Sequence, residues 1–146
     1  MATQNLVSAS ITPEVKTKVL KEIGDIRSEL GFLLTLGTEE LQGLFKVGKE
    51  FRPFLDDCHK VVQEHSEILT SAFNMTEFEN DYRLFQDLED LFRPFHELHE
   101  ALFQTLKAVG SDTLGSCLDI YGASKFHKDK IPGMDAVADR MAQYFK

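Results

Sequence analysis

The chain has 146 residues, 42% of them hydrophobic and 27% charged, with a formal charge of −8. That size supports one domain without a metal or disulfide staple, and that charge repels nucleic-acid backbones and anionic lipid. With no run of about 18 apolar residues and no basic-then-apolar leader, it reads as a cytoplasmic globular protein that binds neither nucleic acid nor membrane.

Residues 1–11 read as a flexible arm and 12–146 as a single helical domain. Thr12-Pro13-Glu14 is a helix start: a hydroxyl N-cap, proline at the first helical position and an acid in the first turn. Val15, Val19, Ile23, Ile26, Leu30 and Leu33 recur at spacings of three and four, predicting a helix to about Leu36 with Gly37 as its stop. Thr38-Glu39-Glu40 caps a second helix, whose seam of Leu44, Val47, Phe51, Phe54, Cys58, Val61, His65 and Ile68 runs unbroken to the region of Thr70 to Asn74.

A capping box of Thr76 and Glu79 opens a third helix. Its seam is Phe85, Leu88, Phe92, Phe95, His99, Leu102, Leu106 and Val109, widened by Leu84, Leu91 and Leu98, so it needs two neighbours. Gly110 is the expected stop, with Ser111 or Asp112 capping a fourth helix that carries Leu114, Cys117, Leu118, Tyr121 and Phe126. The run 128–133 breaks it, and Met134, Val137, Ala138, Met141 and Phe145 make a last amphipathic helix. The expected fold is all-α, an up-down-up-down four-helix bundle with a short additional C-terminal helix. Twelve Phe and no Trp predict a Phe-rich buried core, and Cys58 and Cys117 read as buried free thiols.

Several short segments match a pattern: Ser10-Ile11-Thr12-Pro13-Glu14, Thr38-Glu39-Glu40 with Lys46 and Gly48, Phe78 with Asp81, Tyr121 with Lys125, and Ile131-Pro132-Gly133 before Phe145. On these the chain resembles a group of uncharacterised bacterial helical-bundle proteins with no assigned activity. The resemblance implies a bacterial source and a helical-bundle fold, and it carries no site residue.

Catalytic chemistry has little to stand on. Asp56 with His59, and His96 with His99 and Glu100, are the nearest approach to a carboxylate-bridged metal bundle, but hairpin pairing sets the two clusters roughly 8 to 16 Å apart along the axis. His96 or His99 is the acceptor in a histidine-phosphotransfer alternative, with Glu97 and Leu98 or Glu100 and Ala101 where such a site wants a lysine and a small residue. His99 otherwise reads as a core histidine, and His65 as a hydrogen-bond partner of Tyr82. No phosphate loop or nucleophile motif occurs. Lys125, His127, Lys128 and Lys130 read as a solvated loop. No catalytic residue, cofactor-binding residue or metal ligand is assigned. The expected role is non-enzymatic, through a protein partner, a homo-oligomer or a structural assembly, with a small-molecule or metal-binding bundle as the alternative.

The candidate site is an internal echo. Phe51-Arg52-Pro53-Phe54 recurs as Phe92-Arg93-Pro94-Phe95. A hairpin centred near residues 73 and 74 puts Pro53 level with Pro94, each bending its helix. Phe51, Phe54, Phe92 and Phe95 then either fill the gap or line a cleft, rimmed by Arg52 and Arg93, for an apolar anion or a partner's side chain.

Overall fold

The computed structural model describes residues 5–146, so the first four residues of the expected arm lie outside the described residues. The fold is all-α: α1 spans Pro13–Glu29, α2 Thr38–Gln42, α3 Arg52–Glu64, α4 Met75–His127 and α5 Met134–Ala142, with single 3-10 turns at Ser66–Ile68 and Gln143–Phe145. No strand occurs among the described residues.

In α1 the start is as the sequence implies, with Thr12 Oγ1 accepting from the Val15 N–H at 3.1 Å ahead of Pro13. The helix ends about two turns before Leu36, its Leu30 N–H bonded to the Ile26 carbonyl. Gly31 follows directly, and the helix cost of glycine, about 1 kcal/mol relative to alanine, stops it there.

The long second helix is divided. α2 is capped by Gly37, whose N–H donates to Glu40 Oε2 at 3.0 Å, and ends at Gln42. Gly43 and Gly48 make the intervening segment a poor helix, and Pro53 cannot sit mid-helix, where it lacks a donor and clashes with the preceding turn. It occupies the first turn of α3 instead, the position where proline is tolerated. The expected bend at Pro53 is thus replaced by a helix start.

Asn74, and not Thr76, caps α4: its Oδ1 accepts from the Glu77 N–H at 3.0 Å. α4 then runs 53 residues through Pro94 and Gly110. The expected stop at Gly110 and a separate fourth helix do not form. The helix continues through the expected caps Ser111 and Asp112, and beyond them Thr113 Oγ1 donates to the Val109 carbonyl at 2.7 Å and Ser116 Oγ to the Asp112 carbonyl at 3.2 Å, both bonding back into the helix. The predicted break after His127 is present, and Gly133 enters α5 at φ 83°, where glycine is the unstrained choice.

The chain divides into two units, residues 11–95 and residues 96–146 with the N-terminal stretch. In the first, Val62 is buried, 6% exposed; in the second, Ala138 is 4% exposed. The Phe-rich core is not formed: none of the twelve phenylalanines is buried, and only Phe78 and Phe85 reach half-burial. A side chain needs neighbours from more than one direction to leave water, and most of these stripes lack them. Cys58 is half-buried and Cys117 exposed, both as free thiols.

Candidate functional site

In the first unit α3 meets the opening of α4 through a polar seam. Arg52, Asp56, His59 and Gln63 recur at four, three and four residues along α3, and Glu79, Tyr82, Gln86 and Glu89 at three, four and three along α4. Each set therefore lies on one face of its helix. The two sets interlock from end to end.

Arg52 Nε donates to Glu89 Oε1 at 2.8 Å and its Nη1 to Asp56 Oδ1 at 2.6 Å. Tyr82 Oη donates to the same Asp56 oxygen at 2.6 Å and accepts from Gln86 Nε2 at 3.3 Å. One turn on, His59 Nε2 lies 3.0 Å from Glu79 Oε2, and Gln63 Nε2 donates to Glu79 Oε1 at 3.0 Å. An ionised carboxylate only accepts, so the network places a proton on His59 Nε2. The His59 ring stacks on Tyr82 at 4.1 Å between centroids, and Phe78 continues the ladder toward Phe73 at 5.9 Å. The Arg52 guanidinium lies 5.2 Å from the Phe85 ring centroid.

The charges follow from these bonds. Asp56 is held below the usual carboxylate range by the Tyr82 hydroxyl and then by Arg52. Glu79 is held below it by Gln63 and then by His59. Tyr82 is pushed up because losing its proton would cost the bond to Asp56 and set two anions together, and Arg52 is held more firmly protonated by Asp56 and Glu89. Carboxylates fixed in the ionised form are poor proton donors near neutrality. What the arrangement does chemically is clamp two helices in one register.

That register differs from the expected hairpin. Arg52 stands opposite Glu89, so Pro94 lies six residues beyond the level of Pro53. Phe51 and Phe54 meet edge to face at 6.4 Å, while Arg52 turns to the polar seam. Phe92, Arg93 and Phe95 lie on exposed turns of α4 around Pro94. His65 faces Glu67 at 3.2 Å, and Tyr82 belongs to Asp56 and His59 instead. The expected His65–Tyr82 bond is therefore corrected: α3 ends at Glu64, which takes His65 off the helix face. Asp56 and His59 were read only as half of a metal site; their four-and-three spacing with Arg52 and Gln63 was the signal for the seam. His99 is no core residue, its side chain 71% exposed and its ring 6.1 Å from that of Phe103.

In the second unit α5 and the last turn pack on α4. Tyr121 stacks on Phe145 at 5.2 Å, and the buried Ser124 hydroxyl donates to the Ile120 carbonyl at 2.9 Å. Beside them an apolar groove of about 390 Å³ is lined by Leu114, Cys117, Leu118, Tyr121, Met141 and Phe145. The basic group at its edge is tied to rings, with Lys125 Nζ 4.5 Å from the Tyr121 centroid and Lys130 Nζ 3.7 Å from that of Phe126. Upstream, the Leu6 N–H donates to Asp112 Oδ2 at 3.1 Å.

No group of three or more His, Cys, Asp or Glu able to hold a metal ion is found among the described residues. No helix is long and apolar enough to cross a membrane. No family model, curated protein or solved structure matches the chain.

Proposed function

We propose that the protein acts through protein–protein contact, as a binding or structural component, and not as an enzyme. The supporting observation is surface area. The chain exposes 13036 Å². Two separate compact units of 85 and 61 residues would together expose about 9,100 Å². The excess, roughly 3,900 Å², is several times the share of about 800 Å² that one partner contributes to a standard stable interface. Much of it is apolar, because Leu, Ile, Val and Phe side chains of α1 and α4 stand open to solvent.

In this reading the four-helix arrangement belongs to the assembly, since α1, α3 and α4 are the only described helices longer than ten residues. The partner is a protein and not a nucleic acid, given the net charge of −8. The setting is the cytoplasm, of a bacterium on the resemblance above. Light scattering and native mass spectrometry across the micromolar range test the reading, together with binding of a hydrophobic dye. A defined oligomer, or a monomer that binds dye strongly and loses it to a protein partner, is expected. A monomer that binds no dye would overturn it.

The apolar groove between α4 and α5 favours a second reading, a site for a small apolar molecule. A stoichiometric small molecule in native spectra of protein from its own host would support that reading.

A further inference from the structure

We propose that the apolar groove between α4 and α5 holds one straight-chain carboxylic acid, its alkyl chain along Leu114, Leu118 and Tyr121 and its carboxylate at Lys125. The proposal rests on the second reading above, that this groove takes a small apolar molecule, and it names the class of that molecule as a free fatty acid.

Two elements of one compact unit build the site. One wall is α4; the other is α5 with the last turn, where Phe145 stacks on Tyr121 at 5.2 Å. The volume of about 390 Å³ falls within the range of small-ligand pockets, about 300 to 1,000 Å³. At 100° per residue Leu114, Leu118, Tyr121 and Lys125 lie within an arc of about 60° on α4, and from first to last they extend about 16 Å along it. A narrow apolar strip with a cation at one end matches an alkyl chain with an anionic head.

The walls argue for an alkyl chain. Sulfur atoms aside, their side chains offer polar atoms only at the hydroxyls of Tyr121 and Tyr144, and the α4 backbone is committed to its own helical bonds. A peptide laid in the groove would bury N–H and C=O groups without partners, whereas an alkyl chain has none to satisfy.

Charge argues for a carboxylate, and for its direction. Lys125 Nζ stands 4.5 Å from the centroid of the Tyr121 ring, a wall of the groove. No carboxylate pairs with it among the described residues. Residues 120–134 carry Lys125, Lys128 and Lys130 against Asp129 alone, in a chain whose net charge is −8. Asp112 and Asp119, the acids of this stretch of α4, lie about 130° or more round the helix from the centre of the arc. An anionic head is therefore drawn to the Lys125 end and repelled by most of the remaining surface.

Isothermal titration calorimetry at low salt tests this, with laurate below its micelle concentration and dodecyltrimethylammonium as a like chain under a cationic head. One laurate should bind per chain, more tightly than the ammonium compound, and affinity should rise about fourfold per CH2 from octanoate to laurate. Lys125→Glu should reverse the preference between the heads. Leu118→Asp, at a position 46% exposed, should keep the wild-type helical circular dichroism and lose both ligands. Equal affinity for the two heads, or a preference that Lys125→Glu leaves unchanged, would overturn the proposal while the apolar-molecule reading stands. Laurate binding that Leu118→Asp leaves unchanged would place the chain elsewhere on the apolar surface and overturn it too. Cosedimentation with phosphatidylglycerol vesicles that Lys125→Glu abolishes would make the site a membrane contact and overturn the free acid as its occupant. Binding of neither compound would overturn the proposal and the apolar-molecule reading together.

Discussion

Tyr82 gives its hydroxyl hydrogen to Asp56 across 2.6 Å, and this one bond ties the opening of α4 to the middle of α3. Asp56 takes a second hydrogen bond from Arg52, so the carboxylate is the hub of the seam. Tyr82→Phe keeps the ring stacked on His59 and removes only the hydroxyl; Asp56→Ala removes the hub. Both should lower the thermal midpoint, Asp56→Ala by more. Because they share a bond, the double variant should be no less stable than Asp56→Ala alone. Strictly additive losses in calorimetry would show that the hydroxyl and the carboxylate act independently.

The seam also sets a pH dependence. Asp56 and Glu79 have folded-state values below their unfolded ones. Their contribution is therefore fully present above the ordinary carboxylate range, near pH 4, and is lost as pH falls through the lower folded values. Tyr82 is shifted the other way, so its contribution is whole below about pH 10 and is lost as pH rises beyond it. Urea unfolding measured from pH 3 to pH 11 should show a plateau with a falling limb at each end. Asp56→Asn with Glu79→Gln should flatten the acid limb and shrink the alkaline one too, because Tyr82 owes its raised value chiefly to the Asp56 carboxylate. An acid limb unchanged in that variant would assign it to other carboxylates.

The helix starts and the last break were legible, because caps and glycines are local signals: Thr12 with Pro13, and Gly133 before α5, stand where their chemistry puts them. Helix lengths were not. The apolar phase runs unbroken past Gly43 and Gly48 and slips at Gly110, from Val109 to Leu114, yet the chain breaks at the first place and continues through the second. Periodicity reports which face is apolar and is silent on whether that face finds a neighbour. At 43–53 two glycines and Pro53 act within one short stretch, whereas Gly110 is a single glycine, costing about 1 kcal/mol, in a helix into which Thr113 and Ser116 bond back without capping a new one. The polar seam was readable as two interlocking four-three-four and three-four-three patterns. A hairpin centred near residues 73 and 74 hides it, because that register sets Arg52 level with residue 95 and not with Glu89.

Gly110 and Gly133 should respond to the same substitution with opposite signs. Gly110 is interior to α4, its φ is not positive, and a methyl group there would meet nothing within 4 Å. Gly110→Ala should stabilise the protein by about 1 kcal/mol. Gly133 sits at φ +83°, so Gly133→Ala should destabilise by about 1 kcal/mol despite equally open space. Denaturant midpoints decide this. A destabilising Gly110→Ala would mean that Gly110 ends a helix after all, as the sequence alone suggested.

The twin Phe-Arg-Pro-Phe segments should differ as sharply under substitution as they do in structure. Arg52 bridges Asp56 on its own helix and Glu89 on α4, and its guanidinium covers Phe85. Arg93 makes no ion pair among the described residues and lies on an exposed turn. Arg52→Ala should therefore lower the thermal midpoint, through the lost bridge and the lost cover on the ring. Arg52→Lys should recover only part of the loss, because an ammonium is a point charge that cannot reach two carboxylates in the fixed fork of a guanidinium. Arg93→Ala should leave the midpoint of the isolated chain unchanged. If Arg93→Ala destabilised as much as Arg52→Ala, the two segments would be equivalent parts of one cluster, as the hairpin centred near residues 73 and 74 implies. A full rescue by Arg52→Lys would reduce the role of Arg52 to its charge.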